Sequence, residues 1–381
     1  MHRTINSEEI NQFVLFKQHL AEDSKAERKD LVEVVKDICG LHAQVASTPY
    51  LSLWNRVKDF QKEDLIKELY ERRTLVKIWG VRATVHVVPT DNVVEYYQAT
   101  KRVGGRHPYR LIGLEPIHKR MLKVLDEKGP LTAQELTDHI SELKNRVQTK
   151  YGDMSLGQLS LREMSQSTIL VPSKPRGGWK SNLHTYVNFK KWLPYVNLEA
   201  LNEHEAKKDV ISHYLLGFGP AMVEDIVWWI GIPKGEVKEI LEEMSDKVEQ
   251  IAIRGLEGMF FILSSDLEHL QGFSIEENSV HLLPRFDPYI VGYKNRQRLI
   301  SSMYEKRVYW STRGEISASI LLNGRIIGTW NHKEENNKIK ITLSLFERTN
   351  KALLNEIRQQ AEKLARFMGE NDSSRDSASL I

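Results

Sequence analysis

"GPAMVEDIVWWI", residues 219–230, repeats a pattern found 90 residues earlier in "GPLTAQELTDHI", residues 129–140. Gly-Pro opens both. Glu135-Leu136 stands against Asp225-Ile226, and Ile140 against Ile230. A Gly-Pro turn leading into an amphipathic run reads as the second helix of a helix-turn-helix. A helical segment precedes each copy, and another follows: "SLGQLSLREMSQSTILV" after the first, "PKGEVKEILEEMSDKV" after the second. Both then run into β-rich segments, "STILVPSKPRGGWKSNLHTYVNF" and "VEQIAIRGLEGMFFILS", which are candidate wings.

The N-terminal third shows the same order without the Gly-Pro signature. Residues 4–20 read as a helix with Asn6 or Ser7 as cap and Glu8 and Glu9 in the first turn. Residues 28–39 make a second helix, stopped by Gly40. Helices follow at about 50–57 and 63–72. "TLVKIWGVRATVHVVPT" then alternates as a strand pair ended by Pro89. From about residue 278 the texture becomes short β runs, with an Asn-Gly hairpin signal in "LNGRI" and a last amphipathic helix at 350–369. The expected organisation is mainly α with β wings. Winged helices span 1–112, 113–200 and 201–275, a C-terminal β-barrel-like domain with the final helix spans 276–368, and a disordered tail covers 369–381.

A hydrophobic share of 41% and a charged share of 28% suit an ordinary globular chain, and a net charge of +3 imposes no bulk affinity for nucleic acid. A single cysteine, Cys39, excludes a disulfide framework and a Cys-rich zinc site, and it reads as a small buried residue. The first residues lack a signal-peptide core, and no apolar run is long enough for a membrane span. A cytoplasmic protein with no membrane contact is expected.

Between the second and third helices lies "DICGLHAQVASTPYLSLWNRV", residues 37–57. If Gly40 ends the helix, His42-Ala43-Gln44 is extended. Residues 42 and 44 then face one side and Ala43 faces the core. The pair is either a hydrogen-bonding device at a helix junction or an imidazole and an amide converging on a substrate. In "VRATVHVVP" the strand reading puts Arg82, Thr84 and His86 on one face, either solvated or lining a site. Asp287, in "LLPRFDPYIVGYKNR", is either a turn former or a polar group in a cleft between domains. Three stretches combine Lys or Arg with Gly or an aromatic: "KRVGGRHPYR", "KPRGGWK" and "YKNRQR". They make Arg102, Arg106, Lys174, Arg176, Lys180, Lys294 and Arg296 candidate DNA-contacting residues, with basic groups for phosphates and rings for stacking. No nucleophile elbow, Walker loop, His-Glu-x-x-His motif or dinucleotide fingerprint occurs, and no metal site is expected.

The runs "CGLHAQVASTPYLSLWNRV", "WGVRATVHVVP", "GFGPAMVEDIVWWIGI", "LLPRFDPYIVGYKNR" and "NGRIIGTW" together, in order, resemble the bacterial winged-helix DNA glycosylases, the AlkZ-like proteins. That resemblance implies three tandem winged helices and a C-terminal β-barrel. It also implies excision of N7-alkylated purines or crosslinked adducts from double-stranded DNA, by a monomeric enzyme that requires no cofactor. The family's Gln–apolar–Gln pair falls here on His42-Ala43-Gln44, so the chain is similar to a His-containing variant. The resemblance makes His42 and Gln44 the catalytic residues and puts Arg82, His86 and Asp287 in the lining. A winged-helix DNA-binding protein without chemistry, a regulator or damage-recognition module, is the alternative.

Overall fold

The computed structural model describes all residues except 1–2, 106–112, 150–151, 271–272, 274–278, 311–313, 336–337, 370–376 and 381. Arg106 therefore lies outside the described residues.

One order of elements occurs three times: a short strand, two helices and a β-hairpin whose second strand pairs back onto the short one. In the first unit Leu41–His42 pairs with Val85–Pro89, which pairs with Leu75–Trp79. In the second Leu131–Thr132 pairs with Thr185–Asn188, which pairs with Leu170–Pro172. In the third Ala221 forms a single bridge to Phe261, between the helices Glu203–Phe218 and Val223–Ile230, and Val248–Ile253 pairs with Phe260–Leu263. The repeat read at 129–140 and 219–230 is thus the same structural position in units two and three.

The units differ in how they are buried. The second has a core of its own, built from Met121, Leu125, Leu136, Ile140, Leu161, Met164 and Leu170. The first and third share one core, joining Phe13, Ile78 and Val88 to Val210, Tyr214, Phe218 and Ile226. The chain start contributes too, since Arg3–Ile5 runs parallel to Val248–Ile253. Asn6 caps the helix Ser7–Lys17 by accepting from the Glu8 N–H, as expected at a helix start.

Gly40 decides where the first short strand begins. It stands at φ +88°, in the left-handed region that ends a helix, and a Cβ there would come within 2.8 Å of the Val87 carbonyl. Only glycine lets the chain leave the helix Leu31–Asp37 and pair at once with Val85–Pro89.

Three expectations are corrected. "VRATVHVVP" is not one strand. Val81–Ala83 forms a tight turn with Arg82 at φ 55° and Ala83 at φ 52°, so Arg82 shares no strand face with Thr84 and His86. The turn packs against Gly104, where a Cβ would approach that of Ala83 to 2.6 Å, and this packing overrides local strand preference. The C-terminal part is no closed barrel. It is an open sheet ordered Val280–Leu283, Ser319–Leu322, Arg325–Glu335, Lys338–Leu345, Ser377–Leu380, whose outer strands do not meet. The helix Lys351–Gly369 lies on it, packing Ile357, Ala361, Leu364 and Met368 among Leu282, Ile320, Ile341 and Leu343. That helix covers the apolar face which closure would otherwise bury. Finally, the tail read as disordered includes Ser377–Leu380, paired in parallel with Lys340–Leu343 along an otherwise open edge. The Asn-Gly hairpin is formed, with Asn323 at φ 47° and Gly324 at φ 80°.

Candidate active site

Leu41 and Ala43 point into the core under the first sheet, and His42 points to its other face. The Ala43 N–H donates to the Val85 carbonyl at 2.7 Å, so the segment stays extended through Ala43. Gln44 follows, exposed, in the bend that leads to the helix Thr48–Trp54. His42 itself is 6% exposed.

His42 pairs across the ladder with His86, and the two rings meet edge to face at 5.4 Å and 79°. The His86 Nδ1 lies 3.1 Å from the Thr84 carbonyl. A carbonyl only accepts, so that nitrogen carries the proton. The other neighbour of His42 is Phe286, from the C-terminal region. Its ring stacks on the imidazole at 4.6 Å and 16°. Among the described residues, none hydrogen-bonds the buried Nδ1 of His42. Leaving a buried polar atom unpaired costs about 1–3 kcal/mol.

Burial pushes the His42 imidazole well below its ordinary range, and the neighbouring His86 and Arg82 push it further the same way. The ring is therefore neutral at pH 7 and able to take a proton.

Arg82 lies over the face of Trp228, 4.1 Å from the ring centroid, and Arg296 lies 5.4 Å from the same centroid and 3.9 Å from that of Tyr309. Burial, with Arg296 second, lowers the Arg82 guanidinium to about 10, so it stays charged at neutral pH. The two arginines reach one place from distant parts of the chain and make the flank of the site positive.

Asp287 does not offer a carboxylate to this site. It is fully buried, receives two bonds from Arg56 at 2.7 and 2.8 Å and one from Ser52 Oγ at 2.7 Å, and caps the helix Pro288–Val291 through the Tyr289 N–H. A buried carboxylate needs all these partners, which leaves none for a substrate.

The basic loops divide. The Gly104 turn, next to Arg102, packs on the Arg82 turn, and Arg296 lies over Trp228. Arg102 pairs with Glu203 at 3.4 Å on the surface, and Lys294 is exposed. The loop 174–180 is anchored elsewhere. Arg176 pairs with Glu135, Lys180 with Glu334, and Trp179 packs against Tyr50 and Phe367, while Lys174 is exposed. Sequence reasoning missed two site residues, Phe286 and Trp228. Each sat inside a quoted motif, but what it touches is set by chain segments far away.

A family model described as DNA glycosylase AlkZ-like matches residues 35–367, most of the chain. The chain belongs to the AlkZ-like DNA glycosylase family. It is an enzyme of the class that hydrolyses N-glycosyl bonds. A curated relative, the interstrand DNA cross-link repair glycosylase of Streptomyces sahachiroi, is 22% identical over 361 residues, covering 88% of this chain and 90% of the relative. The solved structure of the Streptomyces sahachiroi DNA glycosylase AlkZ matches with a TM-score of 0.75 at 19% identity, covering 99% of this chain and 100% of that one. The AlkZ-like fold is thus shared along the whole length. Among the described residues, no helix is long and apolar enough to cross a membrane, and no cluster of His, Cys, Asp and Glu is placed to hold a metal.

Proposed function

We propose that the protein excises N7-alkylated purines, crosslinked adducts included, from duplex DNA, with His42 as general base and Gln44 holding the attacking water. The observation that carries this is the neutral, buried His42 with an unpartnered Nδ1, two residues before an exposed amide in the bend that follows its strand. An N7-alkylated guanine is cationic, so its glycosidic bond is already weakened and the base departs without a protonating acid. What remains is to deliver water to a developing oxocarbenium sugar. A neutral imidazole takes the water's proton, and an amide fixes its position. General base action of this kind is worth about 10²–10⁴-fold, or roughly 3–5 kcal/mol.

Arg82 and Arg296 neutralise phosphates beside the lesion, and burial, with His86 and Arg82 adding to it, keeps His42 unprotonated. Arg102, Lys174, Arg176, Lys180 and Lys294 take phosphates further along the duplex. Those now paired with exposed carboxylates exchange them at little cost, because surface ion pairs are worth about 0–1 kcal/mol. The enzyme acts as a monofunctional glycosylase, as a monomer and without a cofactor. The similarity to the Streptomyces sahachiroi interstrand cross-link repair glycosylase supports the crosslink part of this reading.

The test is single-turnover release of 7-methylguanine from methylated duplex DNA, with a crosslinked duplex as second substrate. Wild type is compared with His42→Ala and Gln44→Ala. Release by wild type that falls about a hundredfold in either variant is expected. Intact DNA binding with no release from either substrate contradicts the proposal.

A further inference from the structure

A base histidine is usually oriented by a hydrogen bond on its second ring nitrogen. His42 has no such bond on Nδ1. What fixes its ring is aromatic contact: Phe286 on its face and His86 at its edge.

Phe286 reaches that place in an unusual conformation. Its φ is 61°, in the left-handed region that a bulky side chain occupies at a cost of about 1–3 kcal/mol. The surrounding structure holds it there from both sides. Thr48 Oγ1 donates to the carbonyl of Arg285, the residue before, at 2.9 Å. Asp287, the residue after, is bound by Ser52 and doubly by Arg56, both partners of this ion pair being fully buried. Thr48 and Ser52 lie on the helix Thr48–Trp54 and Arg56 just beyond it, and residues 45–47 join this helix to the His42–Gln44 segment. One element therefore clamps both neighbours of the ring that stacks on the imidazole. A clamp that maintains strain at one residue, against a histidine without its own orienting bond, marks that residue as positioned for function.

We propose that Phe286 is a positioning residue for glycosidic hydrolysis. Contributed by the C-terminal region, its ring fixes the plane of the His42 imidazole and screens it from bulk water. The inference rests on the reading of His42 as the base. The charged and titratable groups near His42 are His86 on Val85–Pro89, Arg82 on the Val81–Ala83 turn, and Arg285, whose guanidinium lies 5.5 Å from the Phe286 centroid. The Asp287 carboxylate is taken up by Arg56. Removing the Phe286 ring leaves those charges in place and changes hydration and ring freedom, so His42 should then titrate at higher pH.

The experiment compares wild type with Phe286→Ala, Phe286→Leu and Phe286→Tyr by two readouts. The first is the imidazole titration of His42 followed by ¹⁵N NMR on the free protein, with the signal assigned by its loss in His42→Ala. The second is single-turnover release of 7-methylguanine at pH 8, where His42 is neutral in every variant. The expected result is an upward move of the His42 titration in Phe286→Ala. Release falls by about tenfold or more in the Ala and Leu variants with DNA affinity unchanged. Phe286→Tyr, which keeps the stacking ring, restores both. An unmoved titration and a wild-type rate in Phe286→Ala overturn the proposal. So does an equal loss in all three variants that simply follows their melting temperatures. If wild type itself releases no base, the functional reading fails, and the titration still decides whether Phe286 governs the ring.

Discussion

In the second unit the short strand Leu131–Thr132 runs straight into the helix Ala133–His139, whereas in the first unit residues 43–47 separate Leu41–His42 from the helix Thr48–Trp54. The position that pairs back to the hairpin is Thr132 in one and His42 in the other. Thr132 forms a full capping box with Glu135, at 3.2 Å to its N–H and 2.7 Å from its carboxylate. His42 caps nothing and leaves a buried nitrogen unpaired. The helix after it starts at Ser47 with no side-chain cap. The same scaffold position thus stabilises one unit and, in the proposed function, serves chemistry in the other. The third unit lies on the structural side of this contrast, with Asp225 accepting from the Met222 N–H at 3.0 Å.

That contrast makes ordered predictions. The largest concerns His42→Ala, which should reduce base excision by about 10²–10⁴-fold while the melting temperature holds or rises, checked by single-turnover kinetics beside calorimetry. Next is Asp287→Ala. It strands the fully buried Arg56 and should destabilise the fold by about 3–5 kcal/mol, read by chemical denaturation. The pH dependence comes third. His281 is lowered to about 3 and His184 to about 4, both mainly by burial, and His42 is lowered as well. Below pH 6.5 the unfolded chain binds protons that the folded one refuses, so stability is full above that pH and is lost as pH falls toward those values. Denaturation midpoints at pH 8, 6.5 and 5 should therefore be flat between the first two and drop at the third. Excision should keep its rate from pH 8 to 6.5, because His42 stays neutral throughout. The smallest effect belongs to Thr132→Ala, which should cost about 1 kcal/mol of stability and leave excision unchanged, sharpening the contrast from its structural side.

The sequence made units two and three legible because both keep the Gly-Pro turn and the direct strand-to-cap junction. The first unit was legible only from its order of helices and strand pair, since it lacks the Gly-Pro turn and the loop 43–47 intervenes just where the candidate chemistry lies. Gly40 announced the extended segment at His42-Ala43, and Ala43 does face the core, but Gln44 already lies in the bend that follows. Local preference failed at Arg82. Two consecutive left-handed residues cannot be read from "VRATV" when the cause is a glycine turn at residue 104. Asp287 was visible as a polar residue beside proline, but its partner Arg56 lies in another part of the chain, so its burial could not be inferred. Phe286 shows the same limit. Its stacking on His42 depends on how the C-terminal sheet docks on the first unit.

The most direct test of this account is single-turnover release of 7-methylguanine by His42→Thr, which installs the second unit's residue in the first. The account predicts a folded protein with excision reduced about a hundredfold or more and a melting temperature at least equal to wild type. Wild-type excision by that variant, or a loss explained by unfolding alone, would contradict it.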